Sequence, residues 1–287
     1  MPTPMKVSAL EPFGVQIELD LSQPLDSTAE EQFRSLYERH DLVVVPGQRL
    51  TLDEQLRAIG YLGPVLRTPD SIGEISLHSS IGLGGAELCF HSDYAFSPEP
   101  LLGISLHAID VIDGETSTRF SSGRRAYDHL DAELRRRVDG LRSLQVFGAT
   151  LDRRNRAAEL SPDLPRFEHP LVWTASDGGR FLFAPYMTTD SIVGLDPADS
   201  EELIGQLFAV LYGSANVLDH KWRLGDLVIW NNCSVTHARG DNTRNERRVL
   251  QRGTLGLKGY AELYPQAGDY DWQDGLLVEA EGSPQRA

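Results

Sequence analysis

Short apolar runs of strand length recur from the middle of the chain almost to its end, while helical stretches lie ahead of them or between them without alternating one for one. "LLGISLHAIDV" (101–111), "RFLFAPY" (180–186), "GDLVIWN" (225–231) and "RRVLQRGTLGL" (247–257) all read as strands. Near the start, "GVQIELDL" (14–21) alternates apolar and polar like a half-buried strand, and "DLVVVPG" (41–47) is a buried-type strand closed by Pro-Gly. Helices are predicted over 27–40, 51–63, 121–141 and 196–213. In the first, Ser27 with Glu30 and Thr28 with Glu31 have capping-box spacing, and Phe33, Leu36 and Tyr37 share a face. Thr51 and Glu54 form the box of the second, and Leu130, Leu134, Val138 and Leu141 give the third its helical spacing behind a serine cap. Such an order argues against a regular βαβ alternation. It predicts an antiparallel, mainly β architecture with peripheral helices.

The 287 residues, 40% apolar and 24% charged, have the make-up of a globular protein. No run approaches the roughly 18 apolar residues a membrane span needs, and "MPTPMKVSAL" has no signal-peptide pattern. Two cysteines provide no disulfide framework, so a reduced, cytoplasmic protein is expected. The formal charge of −15 argues against nucleic acid or an anionic membrane as partner, since both demand basic patches. Nothing resembling a linker divides the chain. One domain is expected over 1–287, with its core at about 10–257 and an acidic tail at 258–287.

Chemistry enters at "CFHSDYAF" (89–96). If this stretch is a strand, His91 and Asp93 project from one face with Cα atoms roughly 6–7 Å apart. One more histidine would complete a two-His, one-carboxylate facial set with open positions, the pattern of non-haem Fe(II) oxygenases. His40 and His129 fall on predicted helices, His107 suits a hydrogen-bonded core position, and His220 precedes a turn. His237 differs, because it stands between a buried strand and a strand that carries arginines. By the period of two, Arg248, Leu250 and Arg252 share a face and Arg247 points the other way. Inward arginines are costly without anions, and guanidinium matches carboxylate through two parallel hydrogen bonds. The pattern therefore suggests a metal beside a carboxylate-bearing ligand. Cys89 and Cys233 allow a Cys2His2 zinc site on paper, but small core residues are the better reading. Tyr94, Phe96, Tyr186 and Trp230 are candidates to line a pocket, whereas Trp173 and Trp222 read as core.

His91-Ser92-Asp93, Thr118-Arg119-Phe120, His237 and, after ten intervening residues, Arg248 occur in that order. Together with "DLVVVPGQRLTLDEQL", "GPV", "SIVGL" and "WRLGDLVIWNN", they resemble the taurine dioxygenase and 2,4-dichlorophenoxyacetate dioxygenase (TauD/TfdA) family of Fe(II)/2-oxoglutarate-dependent dioxygenases over about residues 10–257. The resemblance implies a double-stranded β-helix, the jelly roll of clavaminate synthase-like enzymes. It implies that Fe(II) is bound by His91, Asp93 and His237. It also implies 2-oxoglutarate held by Arg248 and Thr118 (with Thr116 the second choice), O2 as oxidant, and succinate and CO2 as products. Retention of Asp93 favours hydroxylation over halogenation; desaturation, epoxidation or cleavage would use the same iron site. Arg252 matches a position that often meets an anionic group of the substrate, its alternative being an ion pair with an acidic neighbour. Arg252, Tyr94 and Phe96 are thus the substrate candidates, and an acidic small molecule is the expected partner. "GPVLRTPDS" has Arg67 and Thr68 where taurine-specific members carry a histidine, so taurine itself is not indicated. Specificity is expected in the loops around 66–90 and 145–170, and family analogy suggests a homo-oligomer. A non-catalytic jelly-roll binding protein would have lost a ligand or the inward arginine, and neither is lost. A zinc hydrolase would leave Arg248 without a role.

Overall fold

The computed structural model describes residues 5–68, 71–76, 87–240, 242 and 247–265, with the backbone of two short strands at Tyr270–Asp271 and Leu276–Leu277. His78, residues 69–70 and 77–86 of the first expected specificity loop, and most of the acidic tail lie outside the described residues. The larger sheet runs in the order Lys6–Ala9, Val15–Glu18, Leu42–Val45, Leu227–Asn231, Gly103–Val111, Arg248–Leu255, with Val65–Leu66 and Gly73–Ser76 both pairing with the last of these. Pairing in it is antiparallel except between Val15–Glu18 and Leu42–Val45. A four-stranded sheet, Val217–Lys221, Ser117–Ser122, Val235–Arg239, Leu88–His91, is antiparallel throughout.

The two sheets enclose one core, and helices cover the outer face of the larger one. Strand alternation makes this division. Leu42, Val44, Ile104, Leu106, Val228, Trp230 and Leu250 pack with Phe120, Trp222 and Val235 of the four-stranded side. Val43, Val45, Leu227 and Ile229 point the opposite way, onto Phe33 and Tyr37 of the helix Ser27–His40 and Leu56 and Ile59 of the helix Leu52–Gly60. That is why "LVVV" is apolar at every position: both faces are covered. Each such side chain contributes about 1.5–3 kcal/mol on burial, and a one-residue slip would exchange the faces. The fold is a jelly roll with helices packed outside: the order of runs implied the antiparallel sheets and outer helices, and the resemblance the jelly roll. Among the described residues no helix is long and apolar enough to cross a membrane.

Local details depart from the sequence reading. The first helix is capped by Asp26, whose side chain accepts from the Ala29 N–H, so Ser27 and Glu30 form no box; Thr51 and Glu54 do. The helix expected over 121–141 is a strand end followed by two short helices. Ser122 closes the strand Ser117–Ser122 and caps Gly123–Asp128, and Asp131 then caps Ala132–Val138. Gly123 is required at that junction, because a Cβ there would stand 2.3 Å from the Leu182 carbonyl oxygen. His220 lies on the strand Val217–Lys221, ahead of the turn at 224–225 that leads into Leu227–Asn231. Beyond 257 the chain forms the helix Tyr260–Leu263, whose tyrosine joins a buried aromatic cluster.

Candidate active site

His91 and His237 face each other because their strands are paired in register, His237 opposite His91, and His237 is also opposite Phe120 on its other side. The rings stand 4.0 Å apart between centroids, and Trp230 packs 4.8 Å from the ring of His237. Asp93 arrives differently. The strand ends at His91, and Ser92 to Phe96 turn, so the period-two account of His91 and Asp93 does not hold. Convergence is nonetheless achieved: Asp93 Oδ1 lies 3.3 Å from His91 Nε2 and 3.8 Å from His237 Nε2. The three donor atoms fall within 4.8 Å of one another, the only such group of His, Cys, Asp or Glu among the described residues. Neither cysteine takes part; Cys233 is buried and Cys89 partly so.

The donor set fits a divalent cation. His91 Nδ1 lies 2.8 Å from the Cys89 carbonyl oxygen, an acceptor, which puts the ring proton on Nδ1 and turns the Nε2 lone pair toward Asp93. Burial and the neighbouring His91 push the pKa of His237 well below its usual value, so that ring is neutral. Burial alone would raise the carboxyl of Asp93, but the Arg252 guanidinium at 2.6 Å holds it well below the usual carboxylate range. Two imidazole nitrogens and a carboxylate oxygen thus face one another. Ligands at about 2.1 Å from an ion and near right angles stand about 3 Å apart, close to the spacing seen here.

The arginines of the strand Arg248–Leu255 share a face, as the alternation implied, while Arg247 turns outward and pairs with Asp110. Arg248 is 3% exposed and directs Nη2 at Thr118 Oγ1, 3.4 Å away. Burial and then the charge of Arg239 lower its pKa to about 9, and it stays protonated at neutral pH. No carboxylate of the described residues pairs with it, and its Nε has no partner among them. Thr118 Oγ1 also accepts from Trp222 Nε1 at 3.0 Å. Trp222 is therefore more than core. Because both neighbours can only donate, the Thr118 hydroxyl has its own proton left to give. Thr116, the second choice, is buried with its hydroxyl unpartnered among the described residues, so it makes no hydrogen bond to Arg248.

Arg252 Nη2 lies 2.6 Å from Asp93 Oδ2, and its Nε bonds Thr254 Oγ1 at 3.2 Å. Of the two roles the sequence left open, the ion pair is present. Tyr94 and Phe96 are 5% and 7% exposed, packed with Leu66, Leu101, Phe147 and Tyr260. Tyr186 packs tilted on Phe208 and edge-on against Tyr212, Trp173 is half-buried, and Arg67 is exposed. The sequence reading missed Asn232. Its side chain grips the backbone of Asp93, and the signal was a second amide just past the buried strand Leu227–Asn231, where burial demands that every polar atom be paired.

Comparison with known proteins agrees with this geometry. The profile of the Taurine catabolism dioxygenase TauD, TfdA family matches residues 6–254. The alpha-ketoglutarate-dependent 2,4-dichlorophenoxyacetate dioxygenase of Cupriavidus pinatubonensis is 28% identical over 272 residues, covering 84% of this chain and 93% of that protein. Pentalenolactone F synthase of Streptomyces arenae is 27% identical over 258 residues, 79% of this chain and 86% of its own. A taurine dioxygenase from Burkholderia xenovorans superposes with a TM-score of 0.74 at 25% identity, covering 88% of this chain and 90% of that one.

Proposed function

The chain belongs to the TauD/TfdA family and is thus an alpha-ketoglutarate-dependent oxidoreductase that uses Fe(II), 2-oxoglutarate and O2; from that premise we propose that it hydroxylates a C–H bond of a small molecule bearing an acidic group. His91, Asp93 and His237 hold the iron. Arg248 and Thr118 hold the far carboxylate of 2-oxoglutarate. When bound, iron and 2-oxoglutarate supply the oxidation itself, coupling O2 to loss of CO2, formation of succinate and attack on the C–H bond.

The rest is work for side chains. Arg248 offers a buried charge and a forked donor, and the Thr118 proton adds a second contact, so a carboxylate placed there is fixed in position and direction. Burial keeps water away from that contact and strengthens it. Arg252 occupies Asp93 Oδ2 and so leaves Oδ1 to face the histidines. It is bound through Nη2 and Nε and is 21% exposed along its side chain, which leaves Nη1 for an acidic group of the substrate. The single observation that carries this reading is the convergence of three metal donors beside an arginine whose charge no described carboxylate answers.

The test is succinate release from 2-oxoglutarate across a panel of small carboxylic acids, amino acids, sulfonates and their neutral analogues. Acids should drive turnover and their neutral analogues should not, and Asp93→Ala should release no succinate. Equal turnover with neutral analogues would overturn the acidic group. Full turnover by the variant would overturn the metal assignment.

A further inference from the structure

We propose that Asn232 is a positioning residue that fixes Asp93 for the metal, an inference that rests on the metal assignment above. The two histidine ligands need no such help, since strand pairing holds their backbones. Asp93 is beyond the end of its strand, and the next residue, Tyr94, has a φ of 60°, in the left-handed region that costs a non-glycine residue about 1 kcal/mol or more. A turn under that strain keeps its shape only if its surroundings impose it.

Asn232 supplies the constraint. Its Oδ1 accepts from the Asp93 N–H at 2.9 Å, and its Nδ2 donates to the Asp93 carbonyl at 3.0 Å and to the Leu101 carbonyl at 2.9 Å. One amide therefore closes a ring on both backbone groups of Asp93, from 139 residues away in sequence. Asn232 is 0% exposed, and its own backbone N–H is bonded to the Leu102 carbonyl at 3.1 Å. It stands in the short corner between the strand Leu227–Asn231 of the larger sheet and Val235–Arg239, which carries His237. Asn231 shapes that corner by accepting from the N–H groups of Cys233 and Ser234. A single bend thus sets the third ligand directly and the second through an amide. Aspartate could not replace it, having no donor for the two carbonyls, and alanine would leave three buried backbone groups without that partner.

The experiment is Mn(II) binding, followed by electron paramagnetic resonance, to wild type, Asn232→Ala, Asp93→Ala and the double variant. Ser234→Ala serves as control, a similarly buried change in the same corner whose hydroxyl makes no hydrogen bond among the described residues. Asn232→Ala should weaken Mn(II) binding about 10- to 100-fold, the usual cost of losing a group that orients a ligand. In the Asp93→Ala background it should add nothing, because its effect passes through Asp93. Ser234→Ala should bind as wild type. Should Asn232→Ala not fold, as judged by circular dichroism, Asn232→Ser takes its place with the same ordering expected. Unaltered Mn(II) affinity in the folded variant, or an equal loss with and without Asp93, would overturn the inference and leave the metal site standing. Wild-type affinity in Asp93→Ala would instead overturn the metal assignment itself.

Discussion

Arg248 and Arg252 sit four residues apart on one face of one strand, yet their charges are answered in opposite ways. Arg252 has its anion within the fold, Asp93 at 2.6 Å, and keeps part of its side chain at the surface. Arg248 is buried, donates to a threonine hydroxyl, and pairs with no described carboxylate. A buried guanidinium without a counter-ion costs several kcal/mol, more than a jelly roll gains from keeping it for packing. On the proposed reading, Arg248 takes its anion from bound 2-oxoglutarate, whereas at Arg252 a substrate anion must share the arginine with Asp93. On that reading the first site suits one obligatory carboxylate, and the second a group that varies with the substrate.

The comparison can be broken by substitution. The largest effect is expected from Arg248→Ala, which should raise the 2-oxoglutarate concentration needed for half-maximal succinate release about 100-fold, as loss of a charge-assisted pair implies. The substrate requirement should change far less; equal changes in both would dissolve the distinction. Arg252→Ala should do the reverse, with about a tenfold rise for an acidic substrate and an unchanged 2-oxoglutarate requirement. The smallest effects belong to Thr118→Val and Trp222→Phe. Each should raise the 2-oxoglutarate requirement several-fold, through loss of a hydroxyl donor in one and of the N–H that orients it in the other. Their combination should equal Thr118→Val alone, and an additive double variant would deny that Trp222 acts through Thr118.

Much of this arrangement was legible in the sequence because it is encoded by local period. Alternation placed Arg248, Leu250 and Arg252 on one face and Arg247 on the other. The order of strand-like runs pointed to antiparallel sheets with peripheral helices, the family resemblance supplied the jelly roll, and the spacing from His237 to Arg248 pointed to a metal beside a carboxylate. What stayed hidden depends on contacts between distant residues. That the strand halts at His91, and that Asp93 is held by Asn232, follows from a bond across 139 positions that no local pattern records. Trp222 reads as core from composition and is buried, but its N–H reaches Thr118 from 104 residues away. The false helix over 121–141 had a different cause. Its apolar spacing runs on past Leu130, while Asp131 restarts a helix by accepting from the N–H groups of Glu133 and Leu134. A capping aspartate inside an apolar repeat outweighed the repeat itself.

The central claim is that His91, Asp93 and His237 hold iron beside a 2-oxoglutarate anchored by Arg248. The most direct test is visible absorption of the purified protein with Fe(II) and 2-oxoglutarate in the absence of oxygen. Wild type should show a weak metal-to-ligand charge-transfer band that titrates with 2-oxoglutarate, and His237→Ala should show none. A wild type without the band at saturating 2-oxoglutarate, or a His237→Ala variant that keeps it, would contradict the account.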